Sequence, residues 1–223
     1  MKLKTLKRLA ALAACGWAAP LLGADAPAPL SLDQILDKVE AAQAAAQDVQ
    51  MDLKTRMRDT MSGQTQEVQG VAMLKAPDLV YVHYQKPTEQ FLYIDGALAQ
   101  MYQPAQKMVY RQQAAPGSPD APVYLGVGRE LKHYADLSRV SIDHQSGDEV
   151  TLLFLPKSTD AGFDRMRVTI RKKDWWPVRL EVETPALETR CEFSNFKFDQ
   201  GLDPGLFVFT RPKGVDVVEG AIF

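Results

Sequence analysis

Val49-Gln50-Met51-Asp52-Leu53-Lys54-Thr55-Arg56-Met57-Arg58 decides the fold class. Val49, Met51, Leu53, Thr55 and Met57 alternate with Gln50, Asp52, Lys54, Arg56 and Arg58. In a strand, successive side chains point to opposite faces, so this alternation predicts one dry face and one wet face. The same reading runs downstream. Ser62-Gly63 predicts a turn, followed by strands at Val68–Leu74 and Leu79–Tyr84, which Pro77 and Pro87 delimit. Phe91–Ile94 and Leu98–Tyr102 flank Asp95-Gly96, a dipeptide suited to the positive φ angles of a hairpin turn. Met108–Arg111, Val140–Ile142, Val150–Leu155, Arg165–Arg171, Val178–Val182 and Thr189–Phe198 continue the pattern. Leu206–Phe209 and Val215–Val218 close it, punctuated by Pro204-Gly205 and Pro212-Lys213-Gly214. About ten short strands at regular spacing predict an antiparallel meander, curved into a barrel or part of one.

Upstream of the first strand the period is helical. Ser31 precedes Gln34 at capping-box spacing, and Leu32, Ile35, Leu36 and Val39 follow on one face. The Ala/Gln tract from Ala41 to Gln47 extends this amphipathic helix to about four turns. Arg129–Tyr134 reads as a short second helix, after a Pro-rich loop at Gln112–Pro122.

The first 24 residues read as an export signal. Lys2, Lys4, Lys7 and Arg8 form a basic region, Leu9–Leu22 is apolar, and Leu22-Gly23-Ala24 offers a cleavage site before Asp25. That run, broken by Gly16 and Pro20, is shorter than the roughly 20 apolar residues of a membrane span. Leu12-Ala13-Ala14-Cys15-Gly16 also matches a lipobox, in which Cys15 would be acylated. Cleavage after Ala24 is the reading adopted, leaving residues 25–223 as one domain in the periplasm. The signal holds four of the 26 Lys/Arg and none of the 28 Asp/Glu, so the remainder carries a formal charge of minus six. A mildly acidic chain without basic runs is unsuited to nucleic acid.

Chemistry-bearing constellations are missing. His83, His133 and His144 form no pair with metal-ligand spacing, and no metal site or cofactor is expected. There is no Gly-x-Ser-x-Gly elbow, and Gly126-Val127-Gly128 lacks the third glycine of a dinucleotide loop. Cys191 reads as a buried apolar side chain, and Glu181 and Glu183 as a solvated strand face. No catalytic residue is proposed, and the chain is not expected to be an enzyme. What remains is apolar sheet surface with one modest helix to cover it. Either the strands close and fill the interior, or part of the face stays open as a binding cavity.

Two segments carry a resemblance that bears on this choice. The first includes Leu53-Lys54-Thr55-Arg56, Gly70-Val71-Ala72-Met73-Leu74-Lys75-Ala76-Pro77-Asp78-Leu79, Tyr84 and Asp95-Gly96. The second is Phe193-Ser194-Asn195-Phe196, then Phe207-Val208-Phe209-Thr210-Arg211-Pro212-Lys213-Gly214-Val215-Asp216-Val217. In order and spacing, from Ser31 to about Val218, the chain resembles the periplasmic outer-membrane lipoprotein carriers, the LolA-like family. The resemblance implies a mainly β (α+β) fold, an incomplete barrel of curved antiparallel sheet lidded by the N-terminal helix and a short helix or loop. It implies a monomer whose apolar cavity holds lipoprotein acyl chains or another lipid. Such a carrier takes cargo from an inner-membrane ABC transporter and gives it to an outer-membrane acceptor. The cavity would be lined by Val49, Met51, Leu53, Ala72, Leu74, Val80, Val82 and Tyr84, under a lid of Leu32, Ile35, Leu36 and Val39. The family often has an arginine latch before the corner proline; here Ala76 stands there, and neighbouring Lys75 should point to the other face. Two alternatives accompany this reading. One is a lipid-anchored acceptor of the same fold, if Cys15 is acylated; the other is a periplasmic sensor or interaction domain.

Overall fold

The computed structural model describes residues 29–96, 98–113, 131–158, 162–220 and 222; the export signal, Cys15 and most of the 112–122 loop lie outside them. The chain enters through α1 (Leu32–Ala45), started by the expected capping box. Ser31 Oγ accepts from the Gln34 amide at 3.3 Å, and Gln34 Oε1 accepts from the Ser31 amide at 3.0 Å. Two orphan donors of the first turn are thereby satisfied.

Strands β1 (Asp48–Asp59), β2 (Thr65–Lys75), β3 (Leu79–Lys86), β4 (Gln90–Asp95), β5 (Leu98–Gln103) and β6 (Met108–Gln113) follow as a meander. After α2 (Leu131–Leu137) come β7 (Ser138–Gln145), β8 (Glu149–Pro156), β9 (Arg165–Arg171), β10 (Trp176–Glu183) and β11 (Leu187–Phe198), and finally β12 (Asp216–Glu219). All belong to one curved, unclosed sheet in the order β12-β6-β5-β4-β3-β2-β1-β11-β10-β9-β8-β7. The two meanders join where β1 pairs antiparallel with β11, a contact between the two ends of the chain. The fold is mainly β, an incomplete barrel with two α-helices among the described residues, as the family resemblance implies; twelve strands form where the alternating pattern predicts about ten.

Two details at the C-terminus depart from the strand pattern. Leu206–Phe209 does not form a strand: Pro204–Phe207 is a 3₁₀ turn. Pro204 occupies its first turn and the Asp203 side chain accepts from the Gly205 amide at 2.9 Å, so the local cap wins over strand propensity. Phe207 is buried, and Phe209 packs over Tyr93 and Tyr102 at centroid distances of 5.2 and 5.9 Å. This segment covers an aromatic patch away from the main core. It delivers β12 to β6 in the parallel sense, with Asp216 opposite Met108 and Val218 opposite Tyr110. Parallel pairing needs a long crossover, which residues 199–215 provide.

The core is one contiguous cluster running from Ile35 and Val39 of α1 through β1–β5 and β8–β11 to Leu131 and Tyr134 of α2. Close approach of two backbones within it depends on Gly70. A β-carbon built there would lie 2.3 Å from the His83 carbonyl oxygen and 2.9 Å from the Tyr84 α-carbon. Both are main-chain atoms and cannot swing aside. Gly70→Ala is therefore expected to destabilise the protein by about 2 kcal/mol through overpacking of β2 on β3. Urea unfolding checks this; unchanged stability would mean the pair can splay without loss.

Candidate functional site

The candidate site is the dry face of β1–β3 together with α1, which packs against β10 and α2 and joins the same core cluster. Antiparallel register sets Val49 opposite Leu74 and Leu74 opposite Val80; Met51 opposite Ala72 and Ala72 opposite Val82; Leu53 opposite Gly70 and Gly70 opposite Tyr84. The eight residues expected to line a cavity thus occupy three cross-strand rows on one face. None is more than 8 % exposed. The middle row extends from Val82 through Leu92 and Met101 to Tyr110. A parallel row runs from Thr55 through Cys191, Leu180, Val168 and Leu152 to Ile142. Cys191 is buried in it as expected. Burial pushes its thiol up to about 12, with a smaller opposing effect from the Thr55 hydroxyl at 3.4 Å.

The lid residues divide by helical position. Ile35 and Val39 are buried in the core cluster, whereas Leu32 and Leu36 are half-buried and pack at its margin. Spacing i, i+4 puts each pair on its own stripe of α1. Beside α1 lies α2, joined to it by Lys132 Nζ donating to Glu40 Oε2 at 2.6 Å.

Ala76 has no side-chain hydrogen bond to give, and its main-chain amide donates to the Gln47 carbonyl at 2.9 Å. Other groups hold the two ends of α1, and sequence reasoning missed them. At the start of α1 the Gln145 side chain grips the main chain of Leu30 twice. Gln145 Oε1 accepts from the Leu30 amide at 3.0 Å, and Gln145 Nε2 donates to the Leu30 carbonyl at 3.3 Å. At the other end, Gln47 donates its amide to Asp199 Oδ1 at 2.7 Å, and the Asp199 amide donates to the Asp48 carbonyl at 2.9 Å. The Asp48 carboxylate, 1 % exposed, accepts from the amides of Gln200 at 2.8 Å and Leu202 at 2.9 Å. Lys75 Nζ stands 3.8 Å away, on the face opposite Leu74 as alternation requires. Burial pushes the Asp48 carboxyl up. The Leu202 and Gln200 amides and the charge of Lys75 outweigh it and hold the group below its ordinary 3.8. A lone aspartate at a helix–strand junction was a visible hint, but nothing local marks Gln145, whose partner is 115 positions away.

On the outer face, Glu181 pairs with Arg190 at 3.2 Å and Glu183 with Arg165, the solvated ladder that alternation predicts. His83 stacks on Phe91 at 4.6 Å and meets Glu89 at 2.9 Å. Among the described residues, no group of three or more His, Cys, Asp and Glu is placed to hold a metal ion. No helix among them is long and apolar enough to cross a membrane.

Residues 45–210, nearly all of the sheet, match the family described as outer membrane lipoprotein carrier protein LolA. The chain belongs to the LolA family. Among curated relatives, the outer-membrane lipoprotein carrier protein of Azotobacter vinelandii is 28 % identical over 219 residues, covering 96 % of this chain and 99 % of that one. The protein of the same name from Hahella chejuensis is 27 % identical over 222 residues, covering 99 % and 100 %. Among solved structures, an uncharacterized conserved protein from Thermus thermophilus superposes with a TM-score of 0.56 at 15 % identity, over 84 % of this chain and 98 % of that one. That likeness concerns the fold alone. For a LolA family member the arrangement is chemically consistent. Its dry face is apolar and buried, and the ion pairs of Glu181 and Glu183 lie on the outer surface.

Proposed function

We propose that the protein is a periplasmic carrier, not an enzyme, that holds the acyl chains of lipoproteins or of a related lipid between the dry sheet face and its helical lid. It would collect this cargo from an inner-membrane ABC transporter and pass it to an outer-membrane acceptor. The observation that carries the reading is the run of apolar side chains from Met101 to Met51, continuous in one core cluster with Ile35 and Val39 and crossed by no charged residue. Transfer of an acyl chain to such a surface is worth about 0.8 kcal/mol per methylene buried. The export signal, the acidic charge and the lipoprotein-carrier relatives support the periplasmic setting.

Uptake requires α1 to move, and Gln145 is the group we assign to holding it shut. Gln145→Ala removes both hydrogen bonds to Leu30, worth about 1–2 kcal/mol together. Amide hydrogen exchange across Leu32–Ala45 should then quicken about five- to thirtyfold with β1 unchanged. Unchanged exchange in α1 would remove Gln145 from this role.

The carrier reading itself is tested by native mass spectrometry of protein extracted gently from the cell envelope. An adduct of lipid or lipoprotein mass, lost on extraction with organic solvent, is the expected result. Protein that carries no lipid and also fails to bind a fluorescent long-chain fatty acid would overturn it.

A further inference from the structure

Lys172-Lys173-Asp174-Trp175 joins β9 to β10 across the paired residues Arg171 and Trp176. The turn is tied at several points. The Trp175 amide donates to the Arg171 carbonyl and the Lys172 amide to the Asp148 carbonyl, each at 2.8 Å, and the Asp174 carboxylate accepts from Arg171 Nε at 3.1 Å. Trp175 itself has a φ of 59°. That is the left-handed region, where glycine and asparagine sit readily and a bulky side chain carries a backbone cost. The other non-glycine residues with positive φ among the described ones are Lys107, Asn195 and Asp199, none of them aromatic. A tryptophan at a position that suits glycine breaks the local rule of the turn, and such a break persists where the surrounding contacts of the side chain hold it. Those contacts reach α1. The indole is half-buried against the core cluster, and the Lys38 ammonium stands over its ring, 5.3 Å from the centroid. An ammonium at this distance is attracted by the negative face of the ring. Lys38 lies midway along α1, between the Gln145 grip at its start and the Asp199 bond beyond its end. The next residue, Trp176, is buried and packs on Phe198 at 5.3 Å, which anchors the strand that carries the turn.

We infer that Trp175 is a positioning residue for α1: its ring, presented by a turn whose backbone it strains, seats Lys38 and keeps the middle of the helix against β10. Moving α1 away separates the ammonium from the ring, so the pair opposes opening and slows cargo uptake. The step to cargo rests on the carrier reading; the hold on the helix does not.

Lys38→Met keeps an apolar stem and nearly the same helix propensity while removing the charge. In the full mature chain it should quicken amide hydrogen exchange across residues 35–42 about two- to fivefold, with β1 unchanged. Lys38→Arg, which keeps a cation suited to an aromatic face, should stay within about twofold of wild type. Trp175→Gly suits the backbone of the turn and removes the ring, so α1 should loosen at least as much as in Lys38→Met. If that variant does not fold, Trp175→Asn, also at home at positive φ, takes its place. Adding Lys38→Met to the variant without the indole should change exchange less than about 1.5-fold, because its partner is already gone. Unchanged exchange in Lys38→Met, or an equal effect with and without the indole, would overturn the inference. Stopped-flow uptake of a fluorescent long-chain fatty acid should quicken in step with exchange. Uptake that keeps the wild-type rate while exchange quickens would also overturn it, since the contact would then not govern opening. Quicker exchange beside no uptake by any of the proteins, wild type included, would count against the carrier reading alone.

Discussion

Replacing Asp48 with alanine is expected to lower the unfolding free energy by about 3 kcal/mol at neutral pH, a large share of a domain's stability. The substitution strips the acceptor from two main-chain amides, Gln200 and Leu202, in a place where water cannot substitute, and leaves Lys75 without its counter-charge. Those bonds fasten the strand that begins under the lid to the segment leaving β11, so the loss falls where the two ends of the chain meet. The acid limb provides a separate check. The Asp48 carboxyl is held below its ordinary 3.8 in the folded protein. Its contribution is therefore complete above the unfolded value of about 3.9 and fades as pH falls through the lower folded value. Asp48→Asn should accordingly be less stable than wild type at pH 7 and converge on it as the pH falls below the ordinary carboxylate range. Urea unfolding across that range decides the matter; parallel curves at all pH values would show that the carboxylate charge contributes nothing.

Met51→Glu is expected to abolish retention of a long-chain fatty acid, a loss of more than about a hundredfold, while the protein still unfolds cooperatively. Met51 sits in the central row opposite Ala72, so a carboxylate there interrupts the apolar row that runs on to Met101. In a permanently filled core an unpaired carboxylate costs several kcal/mol and unfolds the domain. Under a lid that opens, the group can take up a proton or reach water, and the fold survives. Met51→Leu, close to volume-conserving, should cost less than about 1.5 kcal/mol and keep binding. Outright unfolding of Met51→Glu beside a healthy Met51→Leu would mean a packed interior; undiminished fatty-acid binding would mean the chain lies elsewhere.

Much of this architecture is legible residue by residue. Strict alternation from Val49 to Arg58 determined strand, face and register parity together, because a one-residue slip would turn Met51 and Leu53 to solvent. The Ser31/Gln34 pair determined where α1 begins, since both of its hydrogen bonds lie within four residues of chain. The eight dry-face positions fall together because a period of two assigns faces without any knowledge of neighbours. Leu206–Phe209 misled because its residues favour a strand, while Pro204 and the Asp203 cap favour a turn.

What the chain could not announce is everything made by partners distant in sequence. Strand order, with β1 beside β11, rests on pairing between residues such as Leu53 and Phe193. The fastening of α1 by Gln145, and of its junction with β1 by Asp48 and Asp199, rests on hydrogen bonds spanning more than a hundred residues. A glutamine or aspartate in sequence is simply a polar residue, and only folding decides which main-chain group it meets and whether water is excluded there. Local periodicity determined the elements and their faces, because steric and hydrophobic preferences act over a few residues. The tertiary structure decided how the faces are closed, because a buried hydrogen bond gains its value from desolvation that only the assembled fold provides.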